Sequence, residues 1–215
     1  DHPDFDPNDS RIGLVHRIDK DTSGLLLIAK TEMAKTNLGK QFFDKTTQRR
    51  YQALVWGNVK EDEGTIVGAL ARDPRDRMLF TVFPEGENPA AKHAVTHYKV
   101  LERMAYVTLV ECVLETGRTH QIRIHMKYIG FPLVGDYLYN PDMEYITRQA
   151  LHSYRLTFLH PITGQKMDFT APLPDDMKKI LMIICCLMMS LGISAQKNFV
   201  YGIYEATSDP YEYAI

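Results

Sequence analysis

The sequence predicts an α+β domain on a largely antiparallel, mixed sheet. Short stretches rich in β-branched and aromatic residues recur between turn residues, whereas the apolar spacing of a helix occurs in only a few places. A length of 215 residues suits one domain with its own core and leaves room for an appendage. We therefore expect one strand-rich domain with a few flanking helices.

The first predicted elements are a strand and a helix in direct succession. An apolar run, Leu25–Lys30, follows a tight Thr-Ser-Gly turn and has the composition of a buried strand. Thr31 is a suitable N-cap, because its hydroxyl can accept a hydrogen bond from the first helical turn. Apolar residues recur at i, i+4 and i+8 from Ala34, which predicts a helix over Glu32–Phe43.

A series of strands is predicted to follow this helix. Tyr51–Trp56 alternates and ends at a Gly-Asn pair, so we expect Gly64–Leu70 to return beside it as a hairpin partner. Further strands are predicted at Thr81–Phe83, Ala94–Leu101, Tyr106–Leu114 and Ser153–Leu159.

A second helix is predicted near the middle of the chain. Thr119 is its expected N-cap, and Ile122, Met126 and Ile129 form an apolar stripe. Gly130 stands where a C-terminal glycine would end the helix.

Another face of this second helix carries a short basic row. His120, Arg123 and Lys127 recur at i, i+3 and i+7 beside the helix N-terminus, which favours phosphate oxygens. The row is either a solvated face or a phosphate contact, and Arg118 directly before it favours the phosphate contact.

The charge of the chain is unevenly distributed. The formal net charge is -2 at pH 7, but acids are concentrated in the first nine residues and after residue 174. Between Ser10 and Pro174, 22 Lys and Arg stand against 18 Asp and Glu. A mildly basic body suits a partner with a phosphate backbone, although an excess of this size does not establish one.

Cysteine and histidine spacing gives no metal or disulfide pattern. Cys112, Cys185 and Cys186 form no paired framework, which predicts a reduced, cytoplasmic protein. His93 and His97 have the spacing that zinc uses on a helix, but their segment has the pattern of a strand. No nearby acid or third histidine completes a tetrahedral set, so we predict no metal site.

The C-terminal segment differs from the rest of the chain. Met177-Lys178-Lys179 precedes a mostly apolar run, Ile180–Ile193, and then small residues, so 177–196 resembles a secretory signal peptide. The run is too short for an ordinary membrane span. We predict a tail over 175–215, either a second reading frame fused at Met177 or the domain's own terminal helix.

A charged turn over residues 16–24 is the most informative stretch of the sequence. It places Asp19 between cations, directly before the apolar run, and loops held by rigid strands often carry chemistry. The alternative is a loop whose Asp and Ser side chains cap backbone groups.

Three stretches together resemble pseudouridine synthases of the RluA/RluD type, which isomerise uridine in RNA. They are His16–Gly24, Arg49–Gly57 and Glu115–His125, with Ile18 where that family usually has Leu. The resemblance extends to about Pro174. It implies a catalytic domain over 1–174, without the family's usual N-terminal strands, on a curved sheet with an active-site cleft across its middle.

The resemblance also implies roles for individual residues. Asp19 is the expected catalytic carboxylate, and Arg118 is expected to form an ion pair with it. Tyr51 is expected to stack on the base and pass a proton, or else to be an ordinary aromatic on a half-buried strand. The expected RNA contacts are His16, Arg17, Thr22, Thr119, His120, Gln121, Arg123 and Lys127. Arg72, Arg75 and Arg77 form either a second contact loop or a solvated turn.

The implied function is isomerisation of specific uridines, chiefly in 23S ribosomal RNA with transfer RNA as the other substrate, on a flipped-out nucleotide. No atom is gained, so no cofactor is expected. One alternative is a truncated, inactive RNA-binding module. A glycosidase is another alternative, and it would need a second acid about 5 to 9 Å from Asp19. A metal-dependent nuclease would need clustered acids and His. Asp21 is the obvious acidic neighbour of Asp19 in the sequence.

Overall fold

The computed structural model describes residues 12–141 and 145–190, whose strands form one sheet. In chain order the elements are β1 (Ser23–Gly24), α1 (Glu32–Phe43), β2 (Gln48–Trp56), β3 (Glu63–Arg72), β4 (Phe80–Phe83), β5 (Lys92–Met104), β6 (Val107–Leu114), α2 (Gln121–Tyr128), β7 (Leu151–Leu159), β8 (Lys166–Thr170) and α3 (Asp175–Ser190).

The sheet is mixed and largely antiparallel, which confirms the predicted α+β class. Its strand order is β1-β7-β2-β6-β5-β3-β4, with β8 paired to β7. β1 runs parallel to β7, and the other pairs are antiparallel. β1 pairs with His152 and Ser153, and β8 pairs with residues 155–159, so both lie on the same side of β7.

Helix α1 has the predicted bounds and the predicted cap. The Thr31 hydroxyl accepts a hydrogen bond from the Ala34 N–H at 3.2 Å. Ala34 and Leu38 are buried, so the i, i+4 spacing identified the face that packs on the domain.

The predicted strand over Leu25–Lys30 is wrong, because only Ser23–Gly24 pair with the sheet. The Leu25 N–H still donates to the Ser153 carbonyl of β7, but the next N–H groups bond elsewhere. The N–H of Leu27 donates to His16 Nε2 and that of Ala29 donates to the Gly13 carbonyl. The apolar run therefore lies over helix α1 and β7 in a small separate cluster, where Leu25 and Leu27 are partly buried.

The predicted hairpin between Tyr51–Trp56 and Gly64–Leu70 is also wrong. β2 pairs with β6 and β7, whereas β3 pairs with β4 and β5. Ala53, Leu54 and Val55 are 0% exposed, which requires cover on both faces and a strand on either side. The later predicted strands correspond to β4, β5, β6 and β7, and β8 was not predicted.

The two faces of the sheet pack on different helices. Val55 belongs to a core cluster with Ile122 and Met126 of α2, as the apolar stripe predicted. Leu54, its neighbour on β2, belongs to a cluster with Met177 and residues of α3. Successive side chains of a strand point to opposite faces, so α2 and α3 cover opposite sides.

Helix α3 occupies the first part of the predicted tail. Its residues Met177, Ile180, Leu181 and Ile184 are buried against the sheet. The guanidinium of Arg148 adds a two-point ion pair with Asp176.

A second reading frame from Met177 stays a prediction, and 191–215 lie outside the described residues. Within the described ranges, no helix has the length and apolarity needed to cross a membrane.

Candidate active site

A cavity of about 520 Å³ lies where the three motif stretches meet. It is lined by the loop that carries Asp19, by Arg49 and Tyr51 at the start of β2, and by the segment that leads into α2. This volume falls in the range of roughly 300–1,000 Å³ that is usual for ligand pockets.

The loop that presents Asp19 is fixed from within the domain. The Thr22 N–H donates to the Asp19 carbonyl at 3.0 Å, which closes the turn. Behind it, the side-chain amide of Gln149, which is 0% exposed, donates to the Lys20 carbonyl and to Thr22 Oγ1. Thr22, one of the predicted RNA contacts, is therefore buried and holds the loop, although it also borders the cavity.

Gly24 allows this loop to enter the sheet. Its φ is +104°, and a Cβ atom there would lie 2.2 Å from the Ser153 carbonyl oxygen on β7. Only glycine allows the backbone to come this close to β7, which explains the glycine at the end of the Thr-Ser-Gly turn.

The arginine paired with Asp19 is Arg123, and the predicted pairing with Arg118 is wrong. Arg123 Nη1 lies 3.9 Å from Asp19 Oδ2, and the Arg123 side chain is 1% exposed. Arg118 is exposed and donates from Nε to the His93 carbonyl at 3.1 Å. The backbone turns sharply between the two arginines, because His120 has a φ of +55° at the N-cap of α2.

Asp136 holds the Arg123 guanidinium from the opposite side. Its carboxylate accepts hydrogen bonds from Arg123 Nε and Nη2, both at 2.7 Å, and it is 0% exposed. It also accepts from the N–H groups of Leu138 and Tyr139. Burial acts to lower the pKa of Arg123, but the hydrogen bonds that it donates to Asp136 and the charges of Asp136 and Asp19 raise the pKa overall. Arg123 is thus a fixed cation behind Asp19.

The same contacts correct the prediction that Arg123 is part of an exposed basic row. Arg123 is enclosed between two carboxylates and the Tyr139 ring, 5.0 Å from its Cζ. Lys127 is exposed, and its Nζ lies 5.8 Å from that ring. His120 Nδ1 is 2.9 Å from the Tyr139 hydroxyl. None of the three residues of the row lines the cavity.

The N-cap predicted for α2 is also wrong. The helix begins at Gln121, with His120 rather than Thr119 at the cap, and no side chain caps it. Instead, Gln121 Oε1 accepts from the Thr116 hydroxyl and the Arg118 N–H. Thr119 and Gln121 border the cavity, but Gln121 is 3% exposed and its amide is bonded within the domain.

Tyr51 borders the cavity from β2 and is 5% exposed. Burial raises the pKa of its phenol, the nearby Arg49 acts to lower it, and Asp19 acts to raise it. The phenol is therefore neutral at ordinary pH, so that it can both donate and accept a hydrogen bond and pass a proton along such bonds.

Three basic side chains on the cavity wall differ in burial and charge: His16, Arg17 and Arg49. His16 accepts from the Leu27 N–H and stacks on Phe42 at 4.6 Å. Burial and the charge of Arg49 lower its pKa to about 4, so His16 is neutral near pH 7. Arg17 is exposed at the cavity mouth.

Arg49 and Asp136 were not among the residues predicted for the site. Burial lowers the pKa of Arg49, and within the described residues no carboxylate lies within 4 Å of it. Asp136 stands in a Gly-Asp pair 13 residues after Arg123, where only the folded chain shows what it contacts. Across the ranges 12–141 and 145–190, no group of three or more His, Cys, Asp or Glu is placed to hold a metal.

Comparison with known proteins gives matches across the site. The sequence profile of a family described as RNA pseudouridylate synthase matches residues 2–128. An uncharacterized RNA pseudouridine synthase of Bacillus subtilis (strain 168) is 54% identical over 172 residues, covering 80% of this chain and 55% of that protein. A ribosomal large subunit pseudouridine synthase D of Zymomonas mobilis is 44% identical over 186 residues, covering 81% and 57%. The chain thus spans about half the length of these curated relatives.

Solved structures match the fold. Human RNA Pseudouridylate Synthase Domain Containing 1 superposes with a TM-score of 0.69 at 24% identity, covering 86% of this chain and 82% of that one. Human RNA Pseudouridylate Synthase Domain Containing 4 gives 0.69 at 21% identity, covering 80% and 75%.

Proposed function

Because this chain belongs to the RNA pseudouridylate synthase family, we propose that it isomerises uridine to pseudouridine in RNA. The observation that carries the proposal is the Asp19 carboxylate at the cavity wall with the buried Arg123 behind it. A fixed cation at this distance attracts the Asp19 carboxylate and helps to hold it at the cavity wall.

The reaction begins at the glycosidic bond. The C1′–N1 bond breaks, and its electron pair leaves with uracil while positive charge develops on the sugar. The Asp19 carboxylate captures or stabilises that charge at C1′. At 3.9 Å the guanidinium attracts Asp19 without a hydrogen bond to it, which leaves its oxygens available for the sugar.

Uracil must then be held and turned. The departing base carries negative charge on its two carbonyl oxygens, so it needs donors and positive charge more than a strong acid. Arg49 supplies both, because it borders the cavity with no carboxylate near it among the described residues. After the turn, C5 bonds to C1′ and releases Asp19.

The last step moves one hydrogen. C5 loses its hydrogen as a proton and N1 gains one, so the atoms of substrate and product balance without a cofactor. Tyr51 is the proposed relay, since its neutral phenol borders the cavity beside Asp19.

The substrate is a nucleotide swung out of an RNA strand, at a cost of a few kcal/mol of unstacking. Arg17 at the mouth is the proposed contact to its phosphate. Ribosomal RNA is the proposed RNA class, supported by the name of the Zymomonas mobilis relative.

A glycosidase is a weaker candidate on this geometry. It needs a second carboxyl group facing the same substrate. Asp136 is the carboxylate that shares Arg123 with Asp19, but it is 0% exposed and bonded to that guanidinium at two points.

The test is release of tritium from RNA labelled at uracil C5. Ribosomal RNA transcribed without modifications is incubated with the wild-type chain and with Asp19→Asn, which keeps the side-chain shape. We expect release by the wild type and a loss on the order of 10³-fold or more in the variant. Equal background from both proteins contradicts the proposal.

A further inference from the structure

A second cavity lies against the segment that leads into α2. Its volume is about 560 Å³, and it shares Gly117, Arg118 and Thr119 with the first cavity. These three residues separate the two spaces, so a strand that leaves the first cavity across them enters the second.

The second cavity is lined by cations and by no carboxylate among the described residues. Arg72 at the end of β3, Lys92 at the start of β5 and Arg118 contribute the charges. Lys92 is exposed, and so is Arg118, whose Nε is bonded to the His93 carbonyl. Such a surface attracts a phosphate backbone.

The cavity also offers a flat aromatic platform. The Arg72 guanidinium lies over the Phe80 ring, with Cζ 4.8 Å from the ring centroid. Arg72 is held there by donating to the Arg77 carbonyl. A guanidinium stacked on an aromatic ring presents a π-surface on which a base of any sequence can stack.

We propose that this second cavity binds the single-stranded nucleotides that flank the target uridine. Lys92 and Arg118 contact their phosphates, and a flanking base stacks on the platform of Arg72 and Phe80. This inference rests on the proposed function, since the flanking strand is defined by the nucleotide in the first cavity. It gives a role to Arg118, which forms no ion pair with Asp19.

The test compares binding of a fluorescein-labelled 12-nucleotide oligouridine at several salt concentrations. The variants are Lys92→Ala and Phe80→Leu, the second of which keeps apolar bulk but loses the ring. Lys99→Ala is the matched control, because Lys99 is also exposed on β5 but lies on the other sheet face and lines neither cavity. Thermal unfolding followed by circular dichroism confirms that each variant is folded.

We expect Lys92→Ala to reduce the slope of log affinity against log salt by about 0.7, the value for one lost phosphate contact on a single strand. Phe80→Leu is expected to weaken binding about fivefold or more with little change in slope, because it removes stacking. Lys99→Ala is expected to change neither. Folded Lys92→Ala and Phe80→Leu proteins that bind like Lys99→Ala overturn the inference.

Tritium release by the wild-type chain separates this inference from the proposed function. If the wild type releases tritium while both cavity variants bind as the control does, only the second cavity is wrongly assigned. If the wild type releases none, the proposed function fails. Loss of binding in the two variants then still supports a strand-binding cavity.

Discussion

The two cavities use the same kinds of side chain in opposite ways. Behind the first, Arg123 is 1% exposed and bonded to Asp136, so its charge is fixed in position and shielded from salt. In the second, Lys92 and Arg118 are exposed to solvent, and Arg118 is bonded through Nε to the His93 carbonyl. Under the two proposals, burial separates the cation that supports the reaction from the cations that bind the RNA strand.

This difference implies different responses to mutation and to salt. A change at the buried pair should reduce turnover at every salt concentration, because the geometry around Asp19 is lost. A change at the exposed cations should alter affinity and its salt dependence while turnover at saturation is kept.

The largest loss after that of Asp19 itself is expected at Tyr51. Tyr51→Phe keeps the ring but removes the phenol that we place in proton transfer, and such groups typically contribute about 10²- to 10⁴-fold. We expect kcat for tritium release to fall by about 10²-fold or more, while oligouridine binding is unchanged. Full activity would remove Tyr51 from the relay.

Asp136→Asn tests whether the Arg123 guanidinium must be held. The amide keeps the shape but offers one acceptor oxygen in place of two, so Arg123 can tilt away from Asp19. A displacement of about 1 Å can cost about 10²-fold in rate, and we expect that loss in kcat with KM kept within about twofold. The protein is first checked by thermal unfolding, and a folded variant with wild-type kcat contradicts this role.

The sequence was a good guide to local structure and a poorer one to partners across the chain. The cap at Thr31 and the face of α1 follow from hydrogen bonds and spacing within one turn, and both were predicted. The run from Leu25 has strand composition, yet the N–H groups of Leu27 and Ala29 bond to a side chain and a loop that no local pattern shows. Arg118 was predicted as the partner of Asp19 and Arg123 as part of a basic row, and the turn at His120 that separates the two arginines depends on the folded backbone.

A smaller effect is expected in the pH dependence of stability. Burial lowers the pKa of both His16 and His125 to about 4, and His125 is 0% exposed. The unfolded chain binds protons at these groups near pH 6.5 and the folded chain does not, so stability is lost as pH falls below 6.5. Between pH 7 and 5 we expect about 2 kcal/mol from each histidine. The free energy of unfolding is measured by urea unfolding at pH 7 and pH 5 for the wild type and for His16→Gln. An equal change with pH in both proteins contradicts the assignment to His16.

Arg49→Met is expected to reduce turnover less than the changes at Tyr51 and Asp136. Methionine fills similar apolar space but removes the cation that we place against the departing uracil. We expect kcat to fall about tenfold, near the lower end for loss of one stabilising group. The matched control is Arg50→Met on the same strand, since Arg50 pairs with Glu111 and does not line the cavity. An equal loss in both variants assigns the effect to the strand rather than to the cavity.

The central claim is that Arg123, and not Arg118, supports Asp19. It is tested most directly by measuring kcat for tritium release in Arg123→Lys and Arg118→Lys, two variants that keep the charge and are both checked for folding. Lysine cannot reproduce the two-point bond to Asp136, so we expect Arg123→Lys to lose on the order of 10²-fold and Arg118→Lys to stay within about twofold of the wild type. A folded Arg123→Lys with normal turnover beside an inactive Arg118→Lys would contradict the account.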